Sequence, residues 1–287
     1  MDNINIAFIG GSGLYKVPSL KKIKWKAVKT NFGSPSSPIC IGEINEKRIA
    51  FLPRHGKTHN IPPSNINYRA NIEALKKIGV ENIISLSAVG SLRNDYVPGD
   101  FVLVDQFIDK TYKREKTFFD EDLVVHLPFS NPICSKLKSV LAKTLKLLHI
   151  KFHNNGTYIC IEGPQFSTLA ESELYRSWGC DVIGMTNMPE AKLAMEAGIC
   201  YVSVAMVTDY DCWHPDHENV TIESIIKTLN DNSYKANKLI LELSKSDRIE
   251  CDGKIKNLSM NSIITDTTSI KKSTKLKLKN IIKIKCK

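Results

Sequence analysis

The stretch Ile199-Cys200-Tyr201-Val202-Ser203-Val204-Ala205-Met206-Val207 carries no charge and runs straight into Thr208-Asp209-Tyr210-Asp211-Cys212-Trp213. An uncharged, valine-rich run of this length reads as a strand buried on both faces, which a sheet covered by helices on each side provides. In open sheets of that kind, ligands collect beyond the carboxyl ends of the strands. The residues after Val207 are therefore the first place to look for chemistry. If the backbone stays extended there, Asp209 and Asp211 point to the same side. Two neighbouring carboxylates repel when both are ionised, so one is expected to keep its proton above the usual range. The pair would then offer an acid for a leaving group beside an acceptor for N–H donors. An ordinary strand-end turn, where Asp and Tyr are common, explains the same six residues equally well until the rest of the chain is considered.

Other strand candidates also end in loops suited to ligands. Ile4 to Ile9 is followed at once by Gly10-Gly11-Ser12-Gly13, where glycines let backbone N–H groups approach an anion and Ser12 adds a hydroxyl. The dinucleotide pattern G-x-G-x-x-G fails because position 16 is Lys, and no Walker lysine is present at the right spacing. Two strands bracket Glu43 to Glu46, and the second, Arg48 to Leu52, delivers Pro53-Arg54-His55-Gly56-Lys57. The arginine fork matches phosphate oxygens, and histidine adds a further donor. Asn82 to Leu86 ends in the small residues Ser87-Ala88-Val89-Gly90-Ser91, and Gly156 to Ile161 leads to Glu162-Gly163-Pro164-Gln165-Phe166-Ser167-Thr168. Phe166 offers either a face for a planar ring or ordinary core packing.

Helices are expected from a cap at Ser64 or Asn65 through Lys77, from Asn131-Pro132 to Leu148, from Thr168 to Trp178, from Pro189, and from Thr221 towards Leu243. Residues 109–130 read as an irregular loop containing His126. Strands alternating with helices define an α/β single domain, with a central sheet flanked by helices on both faces.

Composition narrows the classes. The chain has 287 residues and is 42% apolar, with no run long enough to span a membrane and no signal-peptide layout at its start. The eight cysteines show no CxxC or metal-like spacing, so buried free thiols in a reducing cytoplasm, with no metal, are expected. A net charge of +10 raises the question of RNA or a membrane surface. However, Lys271, Lys272, Lys275, Lys277, Lys279, Lys283, Lys285 and Lys287 supply most of it, leaving a body near about +2. The expectation is a solvated terminus on a globular body whose partner is not nucleic acid.

Six motifs now stand in order: GGSGL at 10–14, PRHGKTH at 53–59, SAVGSL at 87–92, EGPQFST at 162–168, GMTNMPE at 184–190 and TDYDCW at 208–213. Together they resemble the methylthioadenosine phosphorylase branch of the trimeric purine nucleoside phosphorylase family, over roughly residues 4–243. The resemblance implies a mixed central sheet, a homotrimer and phosphorolysis of methylthioadenosine to adenine and 5-methylthioribose 1-phosphate. It also implies inorganic phosphate as co-substrate, with no organic cofactor.

By the same resemblance Ser12, Arg54, His55, Ser87, Ala88 and Thr186 bind phosphate. Met185 lies against the ribose, and Phe166, Asp209, Tyr210 and Asp211 meet the purine. Ser167 and Ile222 bear on substrate choice, and His126 reaches a neighbour's 5' pocket. A carboxylate accepts from the 6-amino group of adenine, whereas a 6-oxo purine requires a donor. Residues 244–287 do not follow the family pattern, so the 5' preference is left open. The rivals are a purine nucleoside or methylthioinosine phosphorylase and, outside enzymology, a nucleotide- or RNA-binding protein.

Overall fold

The computed structural model describes residues 4–11, 17, 19–215 and 222–284, with the backbone alone for 222–225. In chain order the strands are β1 (Ile6–Gly10), β2 (Lys21–Lys26), β3 (Ile39–Ile44), β4 (Lys47–Pro53), β5 (Asn82–Ser91), β6 (Phe101–Leu103), β7 (Gln106–Asp109), β8 (Phe152–His153), β9 (Thr157–Cys160), β10 (Val182–Gly184) and β11 (Cys200–Asp209). The helices are α1 (Tyr68–Lys77), α2 (Ser135–Leu147), α3 (Leu169–Ser177), α4 (Asn187–Glu196), α5 (Ile222–Leu243), α6 (Gly253–Asn261) and α7 (Lys272–Leu278).

All the strands join one mixed sheet, in the order β2-β3-β4-β1-β5-β10-β9-β7, with β11 and β6 branching from β5. The expected α/β single domain with a mixed central sheet is what forms. Strands β4, β1, β5 and β11 run parallel, so their carboxyl ends share one edge of the sheet.

Alternation along the strands sorts side chains onto two cores. Ala7 and Ile9 of β1, and Tyr201, Ala205 and Val207 of β11, face one cluster; Phe8, Val202, Val204 and Met206 face the other. Burial on both faces is why β11 needed no alternating polar residues.

The structure moves several expected boundaries. β5 continues to Ser91, so Ser87 and Ala88 stand on a strand and not in a loop. Gly90 and Ser91 switch partner there, pairing antiparallel with β10. α1 starts at Tyr68, because the Asn67 side chain caps it by accepting from Ala70 N, and a short 3-10 turn, Pro63–Asn65, precedes it. Residues 101–109 hold two short strands with different partners: β6 pairs with β11 and β7 with β9. Thr221, the expected cap of α5, lies outside the described residues.

The terminus expected to be solvated is folded onto the body. Ile270, Leu278, Ile281 and Ile282 enter one core, and Ile249, Cys251 and Ile255 enter the other. Each buried aliphatic side chain contributes about 1.5–3 kcal/mol, enough to dock a segment rich in lysine. Lys277 meanwhile pairs with Glu121 at 2.6 Å. Seven described cysteines are free thiols, all buried except the half-buried Cys212.

Candidate active site

The shared edge of the sheet opens into a cavity of about 530 Å³. Gly11 lines it just after β1, Arg54 and His55 just after β4, Leu86 to Gly90 from β5, Met185 and Thr186 after β10, and Asp209 and Asp211 at and just beyond the end of β11. Ile161, Phe166, Ser167 and Met206 add further wall. Motifs scattered over two hundred residues therefore converge on one space.

At one end, Arg54 follows β4 and its backbone N–H donates to Gly10 O at 2.9 Å, tying the loop to the end of β1. Arg54 is 1% exposed, and its guanidinium donates to Glu190 through Nε (2.7 Å) and Nη2 (3.0 Å), and to Ser85 Oγ (2.6 Å). Burial opposes its charge, but the Glu190 carboxylate outweighs burial and holds the pKa above its ordinary value. His55 Nδ1 lies 2.8 Å from the Ile61 carbonyl, which can only accept, so the neutral ring keeps its hydrogen on Nδ1. Burial and then Arg54 push that imidazole down to about 4, so it is neutral at physiological pH. Ser87 Oγ is buried in the cavity wall and has no hydrogen-bond partner among the described residues. A buried hydroxyl left so is costly unless a ligand satisfies it. Thr186 is buried and lines the same end just before α4, whose backbone leaves helical geometry at Met188 (φ −114°, ψ 132°), so that the continuous helix begins only at Pro189.

At the other end stands the carboxylate pair. Asp209 closes β11, whose pairing with β5 shifts register between Val207 and Asp209. The chain does not stay extended: Asp211 has φ 53°, and the two acids meet because Asp211 N donates to Asp209 Oδ1 at 2.8 Å. Gly90 makes room, since a Cβ there would come within 3.0 Å of Asp209 Oδ1. Asp209 does titrate high, but burial is the first cause and the charge of Asp211 the smallest, reversing the emphasis drawn from the sequence. The Thr208 hydroxyl lies 2.7 Å from Asp209 Oδ2 and 3.2 Å from Val89 O, and has one hydrogen to give. A proton on Asp209 lets both contacts be hydrogen bonds. Asp211 Oδ2 accepts from Ser167 Oγ at 2.8 Å, which joins the loop after β9 to the end of β11.

Some expected residues fall elsewhere. Tyr210, expected against the purine, does not line the cavity; it packs into a cluster with Leu92, Ile161, Tyr175 and Trp213. The acids on either side line the cavity, whereas its ring meets Trp213 edge-on at 6.1 Å. Ser12 and the side chain of Ile222 lie outside the described residues. His126 is exposed and away from the cavity of its own chain; its N–H donates to Ser262 O at 3.0 Å.

Other participants were missed. His59, Asn60, Leu229 and Ser233 line the cavity. Arg114, in the supposedly irregular loop, is buried against Glu162 and donates to the carbonyls of Met185 (2.7 Å) and Met188 (2.6 Å). The signal for Leu229 and Ser233 was their helical spacing of four on α5. Arg114 had none.

The profile of the Phosphorylase superfamily matches residues 5–245. An S-methyl-5'-thioadenosine phosphorylase of Rhodospirillum rubrum is 53% identical over 235 residues, covering 82% of this chain and 80% of that relative. The enzyme of the same name from Koribacter versatilis is 47% identical over 277 residues, 96% of this chain and 95% of its own. Among solved structures, a methylthioadenosine phosphorylase from an antarctic soil metagenomic library superposes with TM-score 0.92 at 41% identity, covering 98% of this chain and all (100%) of that one. The methylthioadenosine phosphorylase of Schistosoma mansoni with adenine gives TM-score 0.85 at 36% identity, covering 90% of this chain and 98% of that one. With the profile spanning the sheet, α1 to α5 and both ends of the cavity, the chain belongs to the Phosphorylase superfamily.

Proposed function

We propose that this chain catalyses the phosphorolysis of S-methyl-5'-thioadenosine to adenine and 5-methylthioribose 1-phosphate. The observation that carries the reading is one cavity with oxyanion donors at one end and, at the other, a carboxyl group whose proton affinity is raised chiefly by burial. Phosphate held by Arg54, Ser87, the Ala88 backbone and Thr186, with its one O–H donated to the lone pair on His55 Nε2, attacks the anomeric carbon as the glycosidic bond loosens. Its negative charge stabilises the positive charge growing on the sugar. Asp209 gives its proton to N7 of the purine, so that adenine leaves neutral, and Asp211 accepts from the 6-amino group. Ser167 holds Asp211 in place for that contact, Met185 lies against the ribose, and Phe166 covers the purine face.

The 5' pocket is completed by a neighbouring subunit of a homotrimer. Two observations support this. Leu169, Leu174 and Trp178 of α3 and its C-cap are 53%, 46% and 45% exposed, an apolar surface that a partner would cover. His126 also stands beside the late segment, where Val125 bridges Ile263 and Ile264 is 65% exposed. Together they present an imidazole and an aliphatic side chain fit to close over a methylthio group of an adjacent subunit.

The test is release of base from methylthioadenosine, adenosine and inosine, each with and without phosphate. Phosphate-dependent release is expected to be fastest with methylthioadenosine and slowest with inosine. Faster turnover of inosine would overturn the choice of base.

A further inference from the structure

We propose that Glu190 and Tyr201 are positioning residues for the oxyanion end of the cavity: they lock the Arg54 guanidinium in one orientation, so that its Nη1 edge meets phosphate. The inference rests on the assignment of phosphate to Arg54 and deepens it.

A guanidinium has five N–H bonds in a rigid plane. Three of Arg54's are taken: Nε and one Nη2 hydrogen by the two oxygens of Glu190, and the other Nη2 hydrogen by Ser85 Oγ. The Nη1 edge carries the other two, and its one contact among the described residues is a long 3.5 Å approach to Leu86 O. Because Arg54 lines the cavity and Glu190 does not, the edge facing away from Glu190 is the one an oxyanion reaches.

Glu190 is itself held. Tyr201 Oη donates to its Oε1 at 2.9 Å, and burial, the first cause, keeps that phenol protonated far above its ordinary range. Asn187 Nδ2 lies 3.1 Å from Tyr201 Oη and from Ser85 Oγ, while Ser203 Oγ donates to Asn187 Oδ1 at 2.7 Å. Glu190, Tyr201, Asn187, Ser85 and Ser203 are at most 2% exposed. They come from α4, β5 and β11, three elements that meet only through the tertiary fold.

The arrangement has a chemical consequence. A buried arginine without a counter-charge is strongly destabilising. A mobile counter-carboxylate would instead compete with phosphate for the guanidinium. Glu190 avoids both, because Tyr201 and the paired Arg54 edge keep its two oxygens turned from the cavity. Phosphate then finds a charge already desolvated and oriented, and reorganisation at binding is small.

The test uses the full-length enzyme with Glu190→Gln and Tyr201→Phe, each varied in phosphate at saturating methylthioadenosine and the reverse. Glu190→Gln should raise the KM for phosphate about tenfold or more, and Tyr201→Phe about threefold to fivefold, with the KM for methylthioadenosine within about twofold of wild type. A merely structural role would lower melting temperature and active fraction without separating the two KM values. Should Glu190→Gln fail to fold, Tyr201→Phe decides alone, since it deletes one hydroxyl and keeps the ring. A folded variant with an unchanged phosphate KM overturns the proposal. Arg54→Lys is the control: if it too leaves the phosphate KM unchanged, the assignment of Arg54 to phosphate fails instead.

Discussion

The two ends of the cavity are built in opposite ways. At the oxyanion end the described groups Arg54, His55, Ser87 and Thr186 sit on or beside strands and are buried, and Arg54 is fixed by Glu190 and Ser85 before any ligand arrives. At the purine end only Asp209 is on a strand and the other groups come from turns: Asp211 lies at positive φ, Ser167 is half-buried, and Phe166 is 63% exposed in the isolated chain. A phosphate dianion looks the same to any enzyme that uses it, so its site is best made rigid. The purine end must pass a bulky base, grip it, and release it after the bond breaks. Groups on turns allow that, at the expense of order before binding.

The contrast can be broken by experiment. Asp209→Asn should have the largest effect: kcat/KM for methylthioadenosine should fall about 10²–10⁴-fold, while the KM for phosphate barely moves. The sign of the pH dependence follows from the same residue. Asp209 acts as an acid and its pKa is raised, chiefly by burial, so wild-type kcat/KM should decline as pH rises through that raised value. Asp209→Asn should lack this alkaline decline, and a pH series on both enzymes checks it. His55, pushed down to about 4, stays neutral through the same range and should add no bend above about pH 5.

Next in size, Arg54→Ala should raise the phosphate KM by about 10²-fold and leave the KM for the nucleoside nearly unchanged, as initial rates at varied phosphate would reveal. Equal loss on both substrates would mean that the oxyanion end is not an independent rigid unit. The smallest effect is expected from Phe166→Ala, a rise of up to about tenfold in the nucleoside KM with phosphate KM constant. An unchanged nucleoside KM would place the purine off the ring face and remove Phe166 from the base site.

Much of this was legible in the chain because period and punctuation are local. β11 announced itself by an uncharged run, and its end by two acids two residues apart. Arg54-His55 followed a strand, and Ser87-Ala88 supplied small residues where a backbone must come near a ligand. The errors share a cause. α7 was hidden because eight lysines drew attention away from Thr274 and Leu278, whose spacing of four sets them on one buried face, and from Ile281 and Ile282 just beyond the helix. Tyr210 was drawn into the site by its neighbours, although its ring is buried in the cluster with Leu92, Tyr175 and Trp213, an outcome that only the turn at Asp211 and the packing decide.

The amino-acid order by itself determined the alternation of strand and helix, the loops able to hold an anion, and which residue types were available for acid chemistry. Those properties depend on a few neighbouring residues. Only the tertiary structure decided that Glu190, Tyr201 and Asn187 serve Arg54, that burial sets the proton affinity of Asp209, and that Arg114 fastens Met185. Each of these depends on removing a charge from water and on a partner distant in sequence, and the strength of an electrostatic contact is fixed by that surrounding and not by the residue's name.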